Sequence, residues 1–314
     1  IVAETGVRVE SLHQGEISHT ISDRLEITYL DGFMHEVIQS GNFRFWEGEP
    51  ATLELQSDRA VFDPRTGKIV VAGTQPSLLR MVGEEGGGAE SVVETRAQRF
   101  ELDRGKGRVF AEGEVRSFFN EGGHSTLITA GSMRADGETG WVEYSADPRI
   151  VQGPNSIHGE IAKYNFREQR LIVEKDVTSS FFGGGSRQGR RYSIESNRLV
   201  YNRQDLRVRY EGKVRLETQD LILMAPFMDL AFSDTAPEQI QEIVAWGGVR
   251  IIQAGREADG DRAVHYPLEE LVIWTGDPAQ VVEAERGKVS GHRLTFYLGD
   301  EKILVEGRAA AVTP

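Results

Sequence analysis

Histidine binds metals or moves protons near neutral pH, so the seven histidines come first. They stand at 13, 19, 35, 124, 158, 265 and 292. None shows the His-x-x-x-His or His-Glu-x-x-His spacing that puts two ligands on one helix face. There is no cysteine, which excludes disulfides, thiolate metal sites and cysteine nucleophiles. Carboxylates are abundant, but they fall in turns and at outward positions, and a hydrolytic pair needs two of them converging on one cleft. Two glycine-rich stretches, Gly83-Glu84-Glu85-Gly86-Gly87-Gly88 and Phe181-Phe182-Gly183-Gly184-Gly185-Ser186, match no phosphate-binding loop and open no helical pattern. They read as hairpin loops. Arg187, Arg190 and Arg191 follow the second stretch. Such a cluster can meet a phosphate or carboxylate, but charge runs are usually solvated, and it is read here as an exposed loop. The 36 basic against 49 acidic residues leave a net charge of −13, which argues against nucleic acid as a partner. These residues suggest no catalytic group, no metal and no cofactor, so the chain is read as non-enzymatic.

The elements that would carry any site are strands. Glycine is 35 of 314 residues, above the ~7% average. Short runs alternate apolar with polar residues, as in Leu25-Glu26-Ile27-Thr28-Tyr29 and Val208-Arg209-Tyr210, the period of half-buried strands. Turn signals such as Asp63-Pro64 and Asp136-Gly137 break them up. Only 236–246 leaves room for a short helical turn or a long hairpin loop. No run of 18 apolar residues occurs, so no segment has the pattern of a membrane-spanning helix. The first residue is Ile1 rather than Met, and the expectation is a processed or trimmed chain.

The chain repeats itself. Nine units begin at 22, 57, 97, 130, 159, 196, 225, 260 and 291, seven of them aligning without gaps over 18 residues. Their inward columns are apolar. The fourth position includes Leu25, Phe100, Met133, Leu199, Met228 and Leu294. The sixth includes Ile27, Phe62, Leu102, Tyr164, Tyr201, Leu230 and Phe296, with His265 as the exception. The thirteenth includes Val208, Val272 and Ile303, and the fifteenth includes Trp274. The fifth position is mostly polar and the fourteenth is mixed. A glycine then recurs (Gly73, Gly113, Gly212, Gly276, Gly307) before a third short run. Each unit is a hairpin plus a return strand whose apolar stripe only its neighbours can cover. The stacked columns form a core or a trough able to take a ligand. A column of Arg24, Arg59, Arg99, Arg198, Arg262 and Arg293 flanks the stripe and reads as rim and strand-edge protection.

At these units the sequence resembles the OstA-like proteins of lipopolysaccharide transport: LptA, LptC and the N-terminal domain of LptD. The resemblance is carried by Ser22-Asp23-Arg24-Leu25-Glu26-Ile27 leading to Ser40-Gly41-Asn42-Phe43. Gly260-Asp261-Arg262-Ala263-Val264-His265-Tyr266-Pro267 and the closing Gly291-His292-Arg293-Leu294-Thr295-Phe296 carry it too. It implies an open-ended, elongated antiparallel β-jellyroll in the periplasm. It further implies acyl chains of lipopolysaccharide in the apolar groove, edge-strand pairing with other jellyrolls of the bridge, and end-to-end self-association. Any inner-membrane anchor would be carried by a segment outside this sequence. Family members with one domain are about half this length. The Ser22/Ser57 pair of units is echoed 35 residues apart by Ala225/Gly260, so a fused or double-length bridge protein is expected. The reading gives a lead-in strand over 1–20, OstA/LptC-like repeats over 21–220 and LptA-like repeats over 221–314, continuous with them. The alternative is a structural β-solenoid scaffold with a closed core.

Overall fold

The structure is a computed structural model that describes residues 1–13, 16–48, 50–84, 90–121, 124–183, 190–219, 221–235, 239–253, 255–283, 287–297, 302–306 and 310–312. The chain forms two compact units. Unit 1 holds residues 1–153 and 161–167; unit 2 holds 154–160 and 168–314.

Unit 1 contains β1 (Val2–His13), β2 (Glu16–Leu30), β3 (Phe33–Glu47), β4 (Leu53–Asp63), β5 (Lys68–Glu84), β6 (Glu90–Asp103), β7 (Arg108–Glu121), β8 (His124–Asp136), β9 (Trp141–Ser145) and β10 (Arg149–Gln152). Unit 2 takes β11 (Asn155–His158), and β12 (Ile161–Asn165) returns to unit 1. Unit 2 continues with β13 (Arg170–Gly183), β14 (Arg190–Asn202), β15 (Arg207–Glu217), β16 (Leu221–Phe232), β17 (Ile240–Gln253), β18 (Arg256–Tyr266), β19 (Leu271–Glu283), β20 (Gly287–Tyr297), β21 (Lys302–Glu306) and β22 (Ala310–Val312). Within each unit these strands pair antiparallel, hairpin after hairpin, in the all-β jellyroll-like arrangement that the alternation predicts. Over 236–246 neither a helix nor a loop alone forms: residues 233–235 and 239 are loop, 236–238 lie outside the described residues, and β17 starts at Ile240. A bulge opposite Ala231/Phe232 places the buried Ile240 and Ile243 three apart, a spacing that imitates a helix.

Most long strands break register once, near the middle, as at Ser40/Phe43, Glu112/Val115 and Glu211/Val214. The break is a bulge that bends the strand. The recurrent glycine sits there. Gly113 and Gly212 hold φ +82 and +78, a region only glycine enters without strain. A Cβ on Gly113 would also stand 2.8 Å from Cβ of Gln98. The second residue of the repeat covers this corner: Asp23 over Gly41, Asp58 over Gly73, Asn197 over Gly212. Asp58 Oδ2 accepts hydrogen bonds from the Thr74 amide and hydroxyl, both 2.8 Å, which hold its carboxyl below its ordinary value.

Each corner divides a strand into a first limb, which runs to the hairpin of the repeat, and a second limb, which carries the return run. In unit 1 the first limb lines up Leu25, Gln39, Ala60, Val71, Phe100, Ala111, Met133, Tyr144 and Ala162. The second limb lines up Thr20, Phe45, Leu55, Leu79, Thr95, Ser117, Ile128 and Ile150. In unit 2 the first-limb row is Val173, Leu199, Tyr210, Met228, Ala245, Ala263, Trp274 and Leu294. Its second-limb row is Ser179, Ile194, Leu216, Leu223, Ile251, Ala258 and Val281. These rows are two walls that face each other. In unit 2 the Tyr210 and Ser179 hydroxyls share a 2.7 Å hydrogen bond across the gap, and the Phe181 and Phe232 rings stand 5.9 Å apart. In unit 1 Phe119 meets Tyr164 edge-on at 6.3 Å.

The outer face explains the mixed fourteenth column. Each hairpin pairs its fifth position with its fourteenth: Val61 with Val70, Glu101 with Phe110, Val264 with Ile273. The outer rows are therefore apolar in places and charged in others. The arginine column is paired with carboxylates on its own and on neighbouring strands: Arg24 with Glu26 along β2 and Glu4 on β1, Arg99 with Glu101 along β6 and Glu112 on β7, Arg198 with Glu174 and Glu211 on the strands either side.

Candidate lipid-binding trough

The residues that the repeat picks out line the first-limb wall. Leu25, Phe100, Leu102, Met133, Leu199, Val208, Met228, Leu230, Val272, Trp274, Leu294 and Phe296 are buried. Ile27, Phe62, Tyr164 and Tyr201 are half-buried; they share the row one step nearer the hairpins, at the lip of the trough. Ile303 pairs with Phe296 on β21, but its side chain lies outside the described residues. His265 is buried in the same row, between Ile243 and Val272. Among the described residues no three His, Asp or Glu side chains gather as a metal site.

The opposite wall escaped the repeat alignment. Phe45, Leu55, Leu79, Ile194 and Leu216 are at most 1% exposed, as deep as any first-limb residue. The signal for them was the recurrent glycine with the short run after it: the bulge resets the alternation, so a window aligned on the hairpin loses phase beyond the corner.

The inner surface is not wholly apolar. Ser77, Thr95 and Ser117 are fully buried on the second limb, and the Thr95 and Ser117 hydroxyls share a 2.8 Å hydrogen bond. Burial pushes the hydroxyls of Tyr144 and Tyr210 well above the ordinary tyrosine value, because ionisation without water is costly.

In unit 2 the two walls leave a shallow cleft of about 350 Å³, a figure that includes the open solvent at its mouth. Val272, Trp274 and Phe296 line it from the first limb; Leu221, Ile251, Gln253, Arg256, Ala258 and Val281 line it from the second. Trp274 packs edge-on against Phe296 at 5.7 Å, and its buried indole N–H has no hydrogen-bond partner among the described residues. At the rim Arg256 Nε lies 2.9 Å from Glu283 Oε1, its register partner on the same wall. A slot of this kind, mostly apolar with a charged pair at its mouth, suits a chain-like apolar ligand whose polar end stays near water.

Residues 193–302 match the model of a family described as the LptA/LptD N-terminal-domain lipopolysaccharide transport proteins. The match covers about a third of the chain, and over those residues the sequence is similar to that family. The whole cleft, from Leu221 to Phe296, lies inside the matched segment. No curated protein matches the chain significantly. Among solved structures, the chain is similar to LptH, the LptA-homologous periplasmic component of the lipopolysaccharide transport device of Pseudomonas aeruginosa. The identity is 16% and the TM-score 0.33, over 39% of this chain and 82% of LptH.

The remaining motifs have local roles. Arg191 Nε donates to Ser180 Oγ at 3.0 Å and its guanidinium lies over Phe182. Arg187 and the side chain of Arg190 lie outside the described residues, as do Glu85–Gly88 and Gly184–Ser186 of the glycine-rich stretches.

Proposed function

We propose that this chain is a non-enzymatic periplasmic bridge component of lipopolysaccharide transport, holding lipid acyl chains between the two walls of its β-jellyroll units. The observation that carries this reading is the unit 2 cleft, which opens between two apolar walls inside the segment that matches the family. Acyl chains would be held by burial against Val272, Trp274 and Phe296, at about 25 cal/mol for each Å² removed from water, with headgroup and sugars outside. Edge strands support partner pairing. Among the described residues β1 pairs only with β2, and β21 only with β20, so each presents a free edge that another jellyroll, or a second copy of this chain, can extend by β-augmentation.

The test is site-specific photocrosslinking with purified lipopolysaccharide. A photoreactive phenylalanine analogue at Phe296 should form lipid adducts, while the same probe at Val244, on the outer face, should not. Equal labelling at both sites, or none at Phe296, refutes the reading. A closed, dry core is the competing reading, favoured by the tight packing of Phe100, Leu55 and Leu79 in unit 1, and it predicts no labelling at Phe296.

A further inference from the structure

The trough of unit 1 is bridged at its lips by a charged pair. Arg104 begins the short 3-10 turn Arg104–Lys106, directly after the first-limb part of β6. Glu47 ends the second-limb part of β3. The two residues thus belong to opposite walls, yet Arg104 Nε stands 2.7 Å from Glu47 Oε1. The Arg104 guanidinium also lies over the ring of Phe45, 5.7 Å from its centre, and Phe45 is an inner residue only 1% exposed. The side chains are 6% and 17% exposed, so both charges have left most of their water. The arginine of unit 2 behaves differently: Arg256 pairs along its own wall, with Glu283, and the gap there stays open.

We propose that Arg104 and Glu47 form a latch that closes the unit 1 trough, and that a lipid chain reaches the inner rows of this unit only when the pair separates. The inference rests on the reading that acyl chains lie between the walls. Its physics is that of a two-state contact. Buried charges are tolerable while paired, and one left buried alone is costly. When the lips part, both groups regain water, so a closed paired state and an open hydrated state are each self-consistent and a partly open one is not. Glu47 Oε1 accepts no aligned hydrogen bond, so a Coulomb contact alone holds the lips on its side and a small displacement loosens it.

The chain has no cysteine, which makes the latch directly testable. A photoreactive phenylalanine analogue at Phe62, on the lip row of unit 1, reports lipid in this trough; the same analogue at Phe296 reports unit 2. With purified lipid A as the probe, Glu47→Gln and Arg104→Gln should each raise labelling at Phe62 several-fold and leave labelling at Phe296 unchanged. Arg104→Cys with Glu47→Cys, bridged by a short bis-maleimide, should abolish labelling at Phe62, while the unbridged double variant labels freely. Labelling at Phe62 that ignores both release and bridging overturns the latch while Phe296 still labels. Absence of labelling at Phe296 in every variant instead overturns the acyl-chain reading beneath it. The bridged variant keeps the test decisive should a single substitution unfold unit 1, because bridged and unbridged protein differ only in the link.

Discussion

The hydrogen bond between Tyr210 and Ser179 joins the two walls of unit 2 by one contact, and its removal should be measurable. The hydroxyls are 2.7 Å apart and both residues are buried, Tyr210 at 0% and Ser179 at 4% exposure. Tyr210→Phe keeps the ring and removes the oxygen, leaving the Ser179 hydroxyl buried without that partner. Loss of a buried partner costs about 1–3 kcal/mol. Ser179→Ala strands the Tyr210 hydroxyl instead and should cost a similar amount. The double variant removes both groups and leaves neither stranded, so it should be less destabilised than the sum of the singles, with a coupling energy on the order of 1 kcal/mol. Urea unfolding followed by tryptophan fluorescence reports this, since Trp246 and Trp274 both lie in unit 2. In thermal melts each kcal/mol corresponds to about 2–4 °C for a unit of this size. Tyr29→Phe serves as control, because Tyr29 is exposed and should change stability by no more than about 0.5 kcal/mol. A neutral Tyr210→Phe, or single-variant costs that simply add, would refute the idea that this bond couples the walls.

Other outcomes follow from the corners, the core and the surface. Gly212→Ala should destabilise more than Gly32→Ala: both have positive φ, but only at Gly212 would a Cβ press on Asn197, and the strain shared by both costs about 1 kcal/mol. Comparative urea midpoints check it. Leu79→Ala should cost about 2–5 kcal/mol, as much as a first-limb truncation, because Leu79 is fully buried on the wall that the repeats did not reveal; circular-dichroism melts measure it. Arg99→Ala should cost under about 1 kcal/mol despite two ion pairs, since Arg99 and both partners are partly exposed to screening solvent. The folded state keeps Tyr144 and Tyr210 protonated above the ordinary tyrosine value. Their contribution is therefore full below about pH 10 and lost as pH rises above it, by about 1.4 kcal/mol per pH unit for each tyrosine. Alkaline titration of stability should fall less steeply in Tyr210→Phe than in the wild-type chain.

The first-limb wall was legible in the sequence because its hairpins are short and uninterrupted. Leu199, Tyr201, Val208 and Tyr210 lie on one inner face, and a single period of two reads them all. The second wall was not legible, for a reason visible at Gly113-Glu114 and Gly212-Lys213. Two residues of positive φ shift the phase, and nothing in the composition says that the strand continues at an angle. The mixed fourteenth column is likewise a matter of pairing: Ile273 is apolar because it lies beside Val264 on the outer face, a cross-strand relation that no single strand displays. The cleft depends on how far apart two walls stand, and the latch on one arginine meeting a glutamate 57 positions earlier (104 − 47) on the opposite wall. Neither distance is encoded in a local pattern.

The strand exchange around residue 160 constrains anyone who wishes to divide this protein. The backbone leaves unit 1 after Gly153, contributes β11 to unit 2, goes back to supply β12 beside β9, and leaves again after Arg167. No single scission yields two complete halves. A fragment stopped at 153 keeps β8 beside β9 but lacks β12 on its other edge, and one begun at 168 keeps β14 beside β13 but lacks β11. A clean dissection requires the gene to be permuted, with β12 spliced directly onto the end of the first half and β11 grafted ahead of the second.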